Sequence, residues 1–246
     1  YILSLKFISK IKLLITYRNF FMKTKKLVAS ILNCLIFVLV AFGTIAMILG
    51  YNFMSKPGDP IVLSATHWKA FKFFTVDSNV LAGLVALCSF VYGILQSKGK
   101  VKNQPVALKY FQLAAATGVT LTMMVTAFFL APKGGADWMH YYLDTNFFFH
   151  LIVPLLCVVE FVCFEPMKMP FKFTPLGVIP MFIYTCCYIP HVLLHLENGK
   201  PVYDYDFYGF FGGHVNNMYF VIPLMLVITW LFSLGLWALN KKIASR

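Results

Sequence analysis

The sequence predicts an all-α, polytopic membrane protein: a bundle of six transmembrane helices with both termini cytoplasmic. Three observations carry that prediction. Of the 246 residues, 60% are hydrophobic and 12% charged, with a mean hydropathy of +0.76; a soluble domain carries roughly a quarter charged residues. The apolar residues fall into six runs of about the 20 residues a helix needs to cross the hydrocarbon. Positive charge gathers in alternate connections, the asymmetry that orients helices across a bilayer. Within lipid every backbone group must be paired internally, so runs of this length are helices.

The elements follow in order. Span one, 27–50, comes after Lys23, Lys25 and Lys26. Span two, 73–95, opens on Phe74-Thr75-Val76-Asp77-Ser78-Asn79. Span three, 106–131, follows the connection carrying Lys98, Lys100 and Lys102. Span four, 147–165, opens on Asn146-Phe-Phe-Phe-His150-Leu-Ile-Val-Pro154. Span five, 174–196, ends on His191-Val-Leu-Leu-His195. Span six, 217–239, follows a loop rich in glycine and aromatic residues. Residues 27–240 thus form one membrane domain, and 241–246 a basic cytoplasmic tail.

Residues 1–26 stand apart. Lys6, Lys10, Lys12, Arg18, Lys23, Lys25 and Lys26 alternate with Ile and Leu at roughly helical spacing, the pattern of a basic amphipathic segment on an anionic leaflet. The alternative is that Met22-Lys-Thr-Lys-Lys is a bacterial-type start and residues 1–21 extend the native chain. The apolar run after Lys26 exceeds the 7–15 residues typical of a signal peptide core.

With the N-terminus cytoplasmic, inner segments collect sixteen of the 21 Lys and Arg, leaving Lys56, Lys69, Lys72, Lys133 and Lys200 outside. The net charge of +12 is thereby accounted for by orientation and anionic lipid. No nucleic-acid motif is present, and membrane lipids are the expected partners. All six histidines, and the acids apart from Glu160 and Glu165, fall on or near the outer face. Chemistry is therefore expected to open toward the outer leaflet.

Two of those polar groups share a depth. Thr75 and His150 each lie about one turn inside the outer end of a span that runs outside to inside. Thr75, Asn79, Ala82 and Ala86 share a face whose small residues permit close helix packing. A threonine hydroxyl attacks only when a base takes its proton, and histidine is the usual base near neutral pH. Asp77, Asp144 or Asn146 would orient the imidazole; Asn79 or Ser78 would donate to an oxyanion. The competing reading is that these residues only bridge helices.

The layout, the segment Phe74-Thr75-Val76-Asp77-Ser78-Asn79 and the segment His150-Leu-Ile-Val-Pro154-Leu-Leu resemble the androgen-induced / FAR-17a-like family of transmembrane threonine hydrolases, and its small bacterial Pr6Pr-type relatives more closely still. The resemblance covers residues 27–240 in layout and about fifteen residues in motif. It implies Thr75 as nucleophile, His150 as its partner, and lipid esters, notably fatty acid esters of hydroxy fatty acids, as substrates.

Other groups were weighed. His191 and His195 stand one turn apart, a spacing that can share Zn²⁺, with His67, His140 or His214 to complete a site. The internal Glu of an H-E-x-x-H motif is missing. The expectation is no metal and no cofactor, with His191, His195 and His214 meeting a head group or substrate. Tyr203, Tyr205 and Tyr208 read as an interfacial aromatic belt in preference to a lid. Glu160 would matter to a transport reading. Cys34, Cys88, Cys157, Cys163, Cys186 and Cys187 all fall within spans and read as small hydrophobes, with Cys157 too far along its helix from His150 to pair with it. The leading expectation is hydrolysis of a lipid ester by Thr75 and His150, with Asp77, Asn79 and Asn146 in support. The alternative is a carrier or scaffold whose polar residues are structural.

Overall fold

A computed structural model describes residues 2–55, 67–133, 135–164 and 169–244, with side chains from Lys23 onward apart from those of residues 136 and 244. The expectations for Lys6 to Arg18 as an amphipathic face, and for Lys56, Asp59, Glu165, Lys168 and Arg246, lie outside the described side chains. The chain is about 80% helical, with no strand among the described residues.

Six helices are long and apolar enough to cross a membrane: Lys23–Leu49, Phe74–Ser97, Val106–Lys133, Thr145–Phe164, Phe171–Leu193 and Val215–Ile243. This is a multi-pass membrane protein. The first helix runs back without a break to Ile2. Span five starts earlier than its apolar run because Phe171–Val178 winds as a tight 3-10 segment around Pro175, whose ring nitrogen cannot donate to a regular ladder. It stops at Leu193, short of the expected 196, because the chain turns. Asn198 and Gly199 take positive φ of 50° and 74°, and Glu197 and Lys200 exchange backbone hydrogen bonds of 3.0 and 2.9 Å. Asn-Gly is the pair that tolerates such a turn best.

Span three forms the centre. In its most apolar stretch 61% of the residues are buried, against 22% for span six. It packs on spans two, four, five and six, and a core of Ile36, Val40, Ala82, Val85, Ala115, Val119 and Val153 joins spans one to four. Gly177 shows how closely the helices approach. A Cβ there would stand 2.6 Å from the Ser233 Cβ of span six and 2.8 Å from the Thr117 hydroxyl of span three. The outward faces are apolar: Ile31, Val38, Phe42, Phe182, Ile183, Val227 and Leu231 are all exposed. A helix that shows its apolar side outward and keeps polar groups inward is built for lipid.

Alternation of the spans gathers all six histidines at one end of the bundle and leaves Lys98, Lys100, Lys102 and Lys109 at the other. These are called below the histidine end and the lysine end.

Candidate functional site

At the histidine end, span two begins without a conventional cap. Phe73 occupies the N-cap position and has no side chain able to accept from the first turn, where Ser, Thr, Asp or Asn would normally serve. The acceptor comes instead from the loop before span six. The Tyr208 hydroxyl accepts from Phe74 N–H at 2.9 Å, which sets it beside Thr75 in the first turn. Tyr184 of span five packs edge-on against the Tyr208 ring, centroids 6.3 Å apart, and donates to the Lys72 carbonyl at 2.7 Å. Burial above all holds the Tyr208 phenol up at about 12, against the pull of the surrounding N–H donors. It remains a neutral hydroxyl at any physiological pH.

Tyr208 is held in turn by its own loop. Asp206 is buried, accepting from the Tyr188 hydroxyl at 2.6 Å and from Phe211 N–H at 3.0 Å. Phe207 and Phe211 pack with Phe73, Val76, Phe149 and Tyr188 in one apolar cluster. The aromatic loop therefore divides. Tyr203 is 75% exposed, as a belt residue should be, and Tyr205 stacks on His195 at a centroid distance of 4.0 Å. Tyr208 departs from the belt reading: it turns inward and covers Thr75. The missing cap at Phe73 was the available sequence signal for it.

His150 is 2% exposed. It sits in a π-turn, Phe148–Ile152, a local widening that often accompanies functional positions in helices. Its neighbour Phe149 lies against Gly43 of span one, where an added Cβ would come within 2.9 Å of the Phe149 ring. His150 Nδ1 stands 2.7 Å from the Tyr141 carbonyl. A carbonyl only accepts, so Nδ1 carries a hydrogen and in the neutral ring Nε2 is the basic nitrogen.

The group that orients the imidazole is thus a main-chain carbonyl, in place of Asp77, Asp144 or Asn146. Asp144 is occupied elsewhere, accepting from the N–H groups of Phe53, Met54 and Ser55 at 2.6, 2.5 and 3.3 Å and from the Ser55 hydroxyl at 2.5 Å. Desolvation pushes its carboxyl up, but these four donors outweigh it and hold the group below the usual carboxylate range. Asp77 is exposed on span two, on the side where its charge reaches Tyr184. Asn146 is half-buried, one turn ahead of His150.

Asn79 joins the two helices. Its amide donates to the Thr75 carbonyl at 2.7 Å and to the Phe149 carbonyl at 3.1 Å. Both amide hydrogens are spent on acceptors, which also fixes which end of the side chain is nitrogen. Ser78 donates to the Thr75 carbonyl at 3.2 Å and meets Thr122 at 3.1 Å. Neither side chain is therefore free to serve an oxyanion as the sequence suggested. The Phe74 N–H, now on Tyr208, is better suited, since it projects from a helix N-terminus. Tyr208 lies beside Thr75, and no hydrogen bond joins the Thr75 hydroxyl to His150 in this arrangement.

The remaining candidates cluster at the rim. The His191 and His195 rings are 4.9 Å apart, and His195 Nδ1 donates to the His191 carbonyl at 2.7 Å. His214 is exposed, its backbone closing the turn into span six. Among the described residues, no group of three or more His, Cys, Asp or Glu is arranged to hold a metal ion. All six cysteines are free thiols.

Comparison with family models, with curated proteins and with solved structures finds no match to this chain. The family resemblance noted above therefore rests on the six-span layout and its two short motifs.

Proposed function

We propose that this protein is an intramembrane hydrolase of lipid esters, with Thr75 as nucleophile and His150 as general base, opening toward the outer leaflet of a cell membrane with both termini cytoplasmic. The observation that carries the reading is the Asn79 bridge. One amide pins the Thr75 turn of span two to the Phe149–His150 turn of span four, which supports a site shared by hydroxyl and imidazole. The Nδ1 hydrogen bond supplies the second support, because it leaves Nε2 as the basic nitrogen.

The chemistry follows from these groups. His150 Nε2 takes the Thr75 proton, the hydroxyl oxygen attacks the ester carbonyl, and the alcohol leaves with the proton from His150. Water then hydrolyses the acyl-threonine with the same base. The Tyr208 oxygen marks where a substrate oxyanion would lie: it accepts from the Phe74 N–H at the start of span two and lies beside the nucleophile. Substrate entry therefore requires the Tyr208 loop to withdraw, which also frees Thr75 to turn toward His150.

A second reading has its own observation. Tyr208 caps the turn that carries Thr75 while His150 bonds to the Tyr141 carbonyl, which suits a scaffold or carrier whose polar residues join helices to loops. Release of fatty acid from a panel of lipid esters by the purified protein separates the two. Turnover lost in folded Thr75→Ala and His150→Ala supports the hydrolase. Equal release by both variants assigns the polar residues to structure.

A further inference from the structure

The chain between Tyr141 and His150 passes through a strained turn. Asp144 takes φ 52° and ψ −131°, and the Asn146 N–H donates to the Leu143 carbonyl at 3.0 Å. This is the shape of a type II′ turn with Asp144 at its first central position, where glycine is the usual residue. A residue with a Cβ stays in that region only where its surroundings hold it there, and such positions gather at functional sites.

The Asp144 carboxylate does the holding. Its Oδ1 accepts from the N–H groups of Phe53, Met54 and Ser55, and its Oδ2 from the Ser55 hydroxyl. Those residues leave span one, and the Phe53 ring is itself packed between Phe42 of span one and Phe148 of span four, at centroid distances of 5.5 and 5.7 Å. The Thr145 hydroxyl adds a tie to the Gly43 carbonyl at 3.3 Å. On the other side of the turn lies the 3-10 segment Gly135–Tyr142. It carries the Tyr141 carbonyl that accepts from His150 Nδ1 at 2.7 Å, and the Tyr142 ring that stands edge-on to the imidazole at 6.4 Å.

We propose that Asp144 is a positioning residue for His150: anchored on residues 53–55, it fixes the turn that brings the Tyr141 carbonyl to Nδ1. The inference rests on His150 acting as the base. Among the described residues the carboxylate bonds only to residues 53–55, so it acts on the imidazole through the main chain. While Tyr141 holds the Nδ1 hydrogen, the neutral ring keeps Nε2 free to take a proton. Release of the turn divides the ring between its two tautomers and turns the basic nitrogen away in part of the population.

Substitutions at Asp144 separate anchor from strain. Asp144→Gly adopts the positive φ freely but loses all four bonds. Asp144→Asn tolerates that φ and keeps an oxygen for the N–H groups of residues 53–55. NMR of the full chain with nitrogen-labelled histidine, in lipid nanodiscs, reads the tautomer of His150, with His150→Gln assigning its signals; ester hydrolysis is measured alongside. The wild type and the Asn variant are expected to carry the hydrogen on Nδ1. The Gly variant is expected to show both tautomers and to lose about a hundredfold in kcat with KM little changed. Ser55→Ala loosens the anchor from its other side and stands in, with a smaller shift of both readouts, if the Gly variant does not fold. The proposal is overturned by a wild type with its hydrogen on Nε2, or by a folded Gly or Ser55→Ala variant whose tautomer matches the wild type. An Asn variant that loses the Nδ1 hydrogen as the Gly variant does overturns it too, since charge would then carry the role. A wild type with the expected tautomer but no turnover overturns the hydrolase reading instead, and the tautomers of the variants still decide the role of Asp144.

Discussion

Tyr208 does two jobs with one oxygen, closing the open start of span two and covering the Thr75 hydroxyl. Removing that oxygen separates them. Tyr208→Phe should cost about 1 kcal/mol of stability, the scale of a lost N-cap, yet it should speed acylation of Thr75 by a small ester several-fold. Slower acylation in a folded variant would make Tyr208 part of the catalytic machinery rather than its cover. Asn79→Ala removes the bond that ties span two to span four, along with the one to the Thr75 carbonyl within span two, and should lower stability by about 1–3 kcal/mol, together with nearly all turnover. Thermal unfolding followed by circular dichroism, alongside ester hydrolysis, checks both. Asp144 adds a pH dependence. Its folded carboxyl lies below the ordinary 3.8, so its contribution is fully present above that value and is lost as pH falls through the lowered one. Limited proteolysis near residues 53–55 should accelerate below pH ~3.8 in the wild type and be fast at neutral pH in Asp144→Ala. Of these residues, Thr75, Asn79 and His150 could be picked from the sequence because each interrupts an apolar run. The bare N-terminus at Phe73 signals that a cap comes from elsewhere but does not single out Tyr208 among the many aromatics, and the Tyr141 carbonyl, being main chain, leaves no signal.

The helices themselves were the most legible elements. Hydropathy alone finds all six, because a lipid-facing surface demands apolar side chains whatever lies inside. Their ends were less legible for local reasons: Pro175 winds the start of span five into a 3-10 segment, and Asn198-Gly199 turns the chain sooner than its hydropathy falls. The π-turn around His150 leaves no mark on composition at all. Packing between helices is equally silent in sequence, and Gly177 is the sharpest case. Gly177→Val would drive a side chain into Ser233 and Thr117, which form the joint of spans three, five and six. Overpacking of this kind costs typically about 1–3 kcal/mol, and more where backbones must part. The variant should lose several degrees in thermal stability while Gly235→Val, where an added Cβ meets nothing within 4 Å, should not. Equal losses in the two would mean that spans five and six do not meet at Gly177.

At the scale of the whole molecule, two polar centres are set in one apolar bundle. One, at the histidine end, joins Thr75, His150, Asn79 and Tyr208; the other, toward the lysine end, joins Asn33, Gln112 and Glu160. Charge asymmetry separates the two ends in the sequence, and the bundle encloses buried polar side chains toward each. The central claim is that Thr75 is an activated nucleophile, and labelling by a fluorophosphonate probe tests it most directly. The account predicts one adduct, mapped by tandem mass spectrometry to the peptide containing Thr75, lost in Thr75→Ala and in His150→Ala when both variants are folded. A wild type that never labels, or labelling that persists in both variants, would contradict it.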